Sequence, residues 1–473
     1  SRAILERSVK DAVVDEIINI IRDDYGLDMY EDDFVRMMYR MELKRFSNGV
    51  NKSLRVSDEQ EFKRREIDFL IALQNDKASH IKSAVKYIES TGKHIVIFLD
   101  NCDQRNTEDQ QEVFLLAEQI AETWPVTVFV SLRPETFAIS NQEGVLKAYH
   151  AKAFTIDPPN MSQVLQKRLQ FGLKLASGEV SVPSLSDTDL KLTQLSNLLN
   201  VMISSLKDNP DLMAFIENVA SGNVRQAIDM VKDFFGSGHI NTEKILRIYS
   251  EGGYYKIPLH EFLRAVIYGE NQYYDPKTSM IKNIFTVNTD DAKEHFLLFT
   301  LLILLDRESK NSNRSKGFIN VDFLYDKLQV LGYLPDQIDA CFAGAILNKL
   351  VETNDRVLID VAANKSNLVR PTSSGVCYIK ILYNMFAYVD AVSVDTPIFG
   401  KDAQEKILVP GLPLDIRLDR TEQFLNYLDD IFDSSIGVAN DIPEVLEAWR
   451  EGSKRIKRDI AYIKTQPVST YKY

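Results

Sequence analysis

No stretch of these 473 residues approaches the roughly 18 consecutive apolar residues that a membrane-spanning helix requires. The longest apolar run, Phe296 to Leu305, has the length of a buried helical segment and is bracketed by His295 and Asp306-Arg307, so it reads as core. Cysteine is equally scarce. The three that occur, Cys102, Cys341 and Cys377, lie far apart and form no C-x-x-C pair, which removes a disulfide framework and a zinc site from consideration. They read as reduced thiols of a cytoplasmic protein, packed as small apolar groups. Positive charge is in deficit too. A formal net charge of -12 argues against a protein that coats nucleic acid with its whole surface, while leaving room for a local basic face. The sequence opens on Ser1-Arg2 with neither an initiator methionine nor a basic-then-apolar leader, so the expectation is a clipped or partial N-terminus rather than a secretion signal.

What is present is ordinary for a soluble globular protein: 45% apolar and 26% charged residues. At about 100–200 residues per domain, the length implies several domains. Residues 1–92 carry helical periodicity, clearest from Ile4 to Arg22, where Val9, Val13, Ile17 and Ile21 recur near a 3.6 period. Lys44, Arg45, Lys52, Arg55, Lys63, Arg64 and Arg65 make this the most basic stretch, read as a solvated face or an anion-binding patch. At Lys93 the texture changes. Ile95 to Leu99 is a continuous β-branched and aromatic run ending in Asp100, as expected of a strand buried on both faces of a parallel sheet. Glu108 to Thr123 follows as an amphipathic helix, stopped by Trp124-Pro125, and Val126 to Ser131 is a second strand. Strand, helix and strand with short connections make a parallel βαβ unit. Ala151 to Ile156 is a third strand candidate, ended by Asp157-Pro158-Pro159.

A strand that delivers Asp100 to the carboxyl edge of a parallel sheet places a carboxylate where ligands bind in open α/β folds. As a bare residue pattern, Asp100 could also be a strand-terminating turn residue. The segment IVIFLDNCDQR, residues 95–105, resembles the Walker B segment of P-loop NTPases of the AAA+, STAND and origin-recognition classes. That resemblance implies ATP and Mg2+ as cofactors, with Asp100 holding Mg2+ through water. Asn101 stands where many AAA+ ATPases place a water-polarising Glu. Asp103, the next carboxylate, either takes that role or caps the following helix. The resemblance thus assigns Asp100, Asp103 and Asn101 to the catalytic group. It assigns Ser131, at the end of the second strand, to sensing the γ-phosphate. Arg133, in the following turn, either serves phosphate or a subunit interface or pairs with Glu135. Ala220 to Val231, with Gly222-Asn223 opening a helix, resembles the sensor 2 motif. Its Arg225 either points at nucleotide phosphates or pairs with Asp229 one turn on.

A phosphate-binding loop, G-x-x-x-x-G-K-S/T, is missing, and Gly49 to Ser53 lacks both the leading glycine and a preceding strand. The expectation is that the loop lies before this chain begins and that residues 1–92 are an insertion between the two halves of the core. A degenerate core that binds no nucleotide is the other account. Further on, helices near Val321 to Leu331 and Asp336 to Leu350, followed by a hairpin from Val351 to Thr372, are winged-helix-like. The second of these helices is poor in base-reading side chains, so protein contact is favoured over DNA, with Arg356, Lys365 and Arg370 left to reach phosphates. Tyr378, Tyr383, Phe386 and Tyr388 read as core.

The fold class expected is multidomain α/β plus α, in five segments: a helical region (1–92), the C-terminal half of a P-loop core (93–157), a helical lid (158–238), a helical and winged-helix domain (239–395) and a C-terminal helical appendix (396–473). The function expected is an ATP-dependent conformational switch with protein partners or self-assembly. The alternative is a non-enzymatic winged-helix scaffold that binds protein or DNA.

Overall fold

The computed structural model describes residues 9–102, 107–133, 137, 152–180, 192–311, 317–354, 368–409, 411, 413–437 and 442–466. The chain divides into two compact units, residues 1–153 and 154–473.

In the first unit, helices α1 (Val9–Tyr25), α2 (Asp32–Met38), α3 (Arg40–Asn48), α4 (Leu54–Ser57), α5 (Glu59–Asn75) and α6 (Lys77–Ser90) precede β1 (Ile95–Leu99), α7 (Thr107–Thr123) and β2 (Val126–Val130). The 3.6-residue spacing of Val14, Ile17, Ile18 and Ile21 turns one stripe of α1 inward. There it shares a core with Ile81, Ala84, Val85 and Ile88 of α6 and Leu116 and Ile120 of α7. Asp58 and Asp76 start α5 and α6 by accepting the backbone N–H groups of Glu61 and Ser79. The strands pair in parallel, Ile95 opposite Val126 through Leu99 opposite Val130.

Two sequence expectations fail here. The strands are buried on one face only: Ile97 is 8% exposed, but its neighbour Phe98 is 72% exposed and stacks on Phe129 at 5.1 Å. Successive side chains of a strand point to opposite faces, and among the described residues nothing covers the face bearing Val96, Phe98 and Phe129. The expected third strand is absent as well. Residues 152–160 are irregular and exposed, with Phe154 at 75% and Ile156 at 92%. A strand is held by pairing of its backbone groups, and no partner edge meets this segment among the described residues.

The second unit is mostly helical: α8 (Met161–Ala176), α9 (Leu192–Asp208), α10 (Pro210–Ala220), α11 (Val224–Gly236), α12 (Thr242–Gly252), α13 (Leu259–Tyr268), α14 (Leu297–Asn311), then β3 (Ile319–Asn320), α15 (Val321–Val330), α16 (Pro335–Leu347), β4 (Val351–Thr353) and β5 (Leu368–Pro371). It ends with α17 (Ser373–Lys380), α18 (Phe386–Ser393), α19 (Lys401–Ile407), α20 (Leu414–Ser435) and α21 (Pro443–Thr465). The three short strands form an antiparallel sheet in the order β3-β5-β4. No described helix is long and apolar enough to cross a membrane.

One apolar core runs from Met161 to Ile460. The helices of residues 396–473 close that core rather than hang from it: Trp449 of α21 meets Phe296, Phe285 and Phe432 at ring distances of 4.9, 5.7 and 6.0 Å. Tyr378, Tyr383 and Tyr388 are buried in it as expected of core aromatics. In α18, the fully buried Asp390 accepts Arg417 and Arg420 of α20, both at 2.7 Å.

Buried imidazoles make the fold sensitive to mild acid. His80 donates from Nε2 to the Met29 carbonyl and accepts the Tyr39 hydroxyl at Nδ1, both at 3.0 Å. His295 donates from Nδ1 to the Phe285 carbonyl at 2.5 Å and accepts from Tyr427 at 3.1 Å. Burial is the main force holding both below the ordinary value of 6.5. Between the folded and unfolded values the unfolded chain binds the additional proton, so this stability is complete above pH 6.5 and declines as pH falls through the folded values. Urea midpoints should therefore fall as pH drops below 6.5. The slope should flatten when His80 and His295 are both replaced by Gln, and a flat profile in the parent protein would remove these imidazoles as the cause.

Candidate functional site

In the register of the parallel pair, Asp100 and Ser131 are the first residues beyond β1 and β2, and the Ser131 N–H continues the ladder to the Leu99 carbonyl at 3.0 Å. Their side chains meet: the Ser131 hydroxyl donates to Asp100 Oδ1. The Asn101 N–H donates to the same oxygen at 2.8 Å. The Ser131 bond first and the Asn101 N–H second hold the Asp100 carboxyl below the usual carboxylate range, against a small opposing effect of desolvation. Both residues are exposed at the carboxyl edge of the sheet. Both bonds are on Oδ1, and no bond to Oδ2 is formed among the described residues. A fixed, ionised carboxylate suits a water of hydrated Mg2+, so these residues fit the ion that the sequence resemblance implies.

Asn101 has a positive φ of 58°. That left-handed conformation is one Asn adopts more readily than other side-chain-bearing residues. Asp103 and Glu135 lie outside the described residues. Arg133 is exposed just beyond Ser131, and its carbonyl accepts the Phe137 N–H at 3.0 Å. Arg225 belongs to the second unit. It sits exposed in the first turn of α11, whose cap is Asn223 bonded to the Gln226 N–H at 3.2 Å. Among the described residues Arg225 forms no ion pair, Asp229 included.

The basic stretch of the first unit is a solvated, ion-paired face where its partners are visible. Lys63 bonds Glu59, and Arg64 and Arg65 both bond Glu61, at 2.8–2.9 Å. Arg64 foremost, with Arg65, draws the Glu61 carboxyl down to about 2. Gly49 to Ser53 lies on the turns between α3 and α4, with no strand before it.

Sequence reading missed the surroundings of β1. A groove of about 600 Å3 is lined consecutively by Ile95 to Asp100 and by Ile17, Ile20 and Ile21 of α1. Among the described residues, the edge of β1 not taken by β2 is unpaired. In a continuous apolar segment, no sequence signal separates a paired edge from an open one.

No known protein family, no curated protein and no solved structure matches this chain.

Proposed function

We propose that this chain is part of an ATP-dependent conformational switch of the P-loop NTPase class, AAA+/STAND-like and cytoplasmic. Its first unit supplies the metal-holding and phosphate-sensing edge. The observation that carries this reading is the bond between Ser131 and Asp100 at the carboxyl ends of adjacent parallel strands. In that role Asp100 holds Mg2+ through water, and the metal offsets phosphate charge. Ser131, whose hydroxyl now rests on Asp100, is the donor able to turn to a γ-phosphate oxygen. Arg225 takes the phosphate-sensing part implied by its motif.

Among the described residues, the second edge of β1 is unpaired and Phe98 and Phe129 are exposed, which leaves room for a further strand beside β1. These 473 residues contain no phosphate-cradling loop, so turnover on this reading requires one supplied from outside them. The test is Mg2+-dependent ATP turnover by this chain joined to its natural loop-bearing segment. Asp100→Ala should lower turnover by about 100-fold or more, as expected for loss of the group that positions a catalytic metal, with an unchanged circular dichroism spectrum. Unchanged turnover, or a gene that encodes no such loop, sinks the reading.

A second reading is favoured by the order β3-α15-α16-β4-β5 with α15 and α16 adjacent: a winged-helix scaffold that binds protein through a non-enzymatic module. The solvent side of α16 presents Asp336, Ala340, Ala343 and Leu347, which offers little to base edges and gives a protein partner precedence over DNA. Arg370, expected to reach phosphates, bonds Glu352 at 2.6 Å, and Arg356 and Lys365 lie outside the described residues.

A further inference from the structure

Residues 40–56 of the first unit carry Arg40, Lys44, Arg45, Lys52 and Arg55 against one carboxylate, Glu42, in a protein whose net charge is -12. All five cations are exposed, and among the described residues none of them forms an ion pair. Their neighbours behave otherwise. Arg36 is held by Asp32 and Glu66, Lys63 by Glu59, and Arg64 and Arg65 by Glu61. The unpaired charge is thus confined to α3, α4 and the turn between them. Clustered like charges repel one another and weigh against the compact state, so this segment offers its field to something outside the fold.

The same segment keeps apolar side chains in water. Val50 is 95% exposed, Val56 90% and Met41 61%. Helical spacing puts Met41, Lys44, Arg45 and Asn48 on one face of α3, opposite Leu43 and Phe46. The inward face is already engaged: Phe46 stacks on Phe69 of α5 at 4.9 Å and lies 5.6 Å from Phe62, and Leu43 packs with Tyr39 and Leu70. Anchored in this way, the turn presents aliphatic tips and free cations together.

That mixture matches an anionic lipid surface. Cations are drawn to the head groups, and aliphatic side chains gain by entering the boundary between head groups and acyl chains. A nucleic acid would use the cations alone. Its sugar-phosphate backbone offers nothing to Val50 and Val56, and Phe46, the one aromatic residue of 40–56, is held by Phe62 and Phe69 rather than left to stack on bases. Repulsion from the acidic remainder of the protein is screened over about 10 Å at ordinary salt, so the local charge governs the contact. We propose that the α3–α4 turn docks on an anionic bilayer surface, with its five free cations toward the head groups and Val50 and Val56 in the interface. The contact is peripheral and needs no spanning helix. It uses none of the residues assigned to the nucleotide switch and does not rest on that reading.

Cosedimentation of the full chain with lipid vesicles tests this. Vesicles of phosphatidylcholine mixed with phosphatidylserine should retain the protein and release it as salt rises, while pure phosphatidylcholine should not retain it. Arg45→Gln and Lys52→Gln should each weaken retention about five-fold, the worth of one charge beside anionic lipid. The pair Val50→Ser, Val56→Ser should weaken it about ten-fold with the charge untouched. The pair Glu59→Gln, Lys63→Gln removes an existing ion pair without changing net charge and should leave retention as it is. All these positions are exposed, so the variants keep the fold. The proposal is overturned if the acidic vesicles fail to retain the protein, if pure phosphatidylcholine retains it equally, or if either the charge variants or the valine pair bind as the parent does. It is overturned equally if duplex DNA at the same phosphate concentration strips the protein from the vesicles, which would give this face to nucleic acid.

Discussion

Replacing Asp390 with alanine should cost the second unit about 3–5 kcal/mol, the scale for stranding buried charge by removing one partner. The carboxylate is fully buried, and Arg417 and Arg420 are only 6% and 3% exposed. Each bonds it at 2.7 Å, and Arg420 also reaches the Val409 and Gly411 carbonyls at 3.3 Å. Without Asp390, two buried guanidinium groups lose the carboxylate that they share. The companion triple substitution Asp390→Leu, Arg417→Met, Arg420→Met should restore most of the loss, because apolar groups of similar volume substitute for buried ion pairs at little net cost. Each unit contains one tryptophan, Trp124 and Trp449, so urea unfolding in a Trp124→Phe background reports the second unit alone. A single-variant cost below about 1 kcal/mol would show that the triad is not a structural necessity.

Trp449→Ala should be comparably damaging, about 3–5 kcal/mol, as expected for deleting a buried tryptophan. The indole is 1% exposed and lies among Phe285, Phe296, Phe299 and Phe432, so its removal opens a void that four rings cannot fill without leaving their own contacts. Its Nε1–H also bonds Asp429 Oδ1 at 2.8 Å, and Asp429 keeps Ser453 and Lys457 as partners when the indole is lost. Trp449→Phe should therefore cost only about 1–2 kcal/mol, a lost hydrogen bond and a smaller void. Calorimetric melting of the two variants measures the difference. Equal effects would mean that the hydrogen bond, and not the packing, is what the residue contributes.

These two sites mark the limit of what the sequence made legible. The β1-α7-β2 unit was readable almost to the residue, because a run of β-branched residues ending in acid followed by an amphipathic helix has few other solutions. Asp100 and Ser131 were readable for the same reason: parallel register brings the residues after two strands side by side. Charged Asp390, Arg417 and Arg420 carry no such periodic mark. Local pattern places them on a surface, and only the approach of α18 to α20 reveals that they pair inside. The segment 152–156 is the converse case, since alternating Phe154 and Ile156 have strand texture but no edge to complete it. Residues 396–473 looked like an appendix because amphipathic helices show that they bury a face, but not against what. A cavity between α12, α13, α18 and α20 was invisible for the same reason, its lining being drawn from Asn241 to Ile463.

The position of Trp449 sets an order of events in synthesis. The ring that closes the aromatic core is delivered by α21, the last described helix, while Phe285 and Phe296 leave the ribosome far earlier. Until α21 emerges, the apolar run Phe296 to Leu305 has no lid on that side, and such exposed surface invites association with other nascent chains. Contacts between residues so far apart in sequence also carry a loop-closure cost, which slows folding relative to a core built from local contacts.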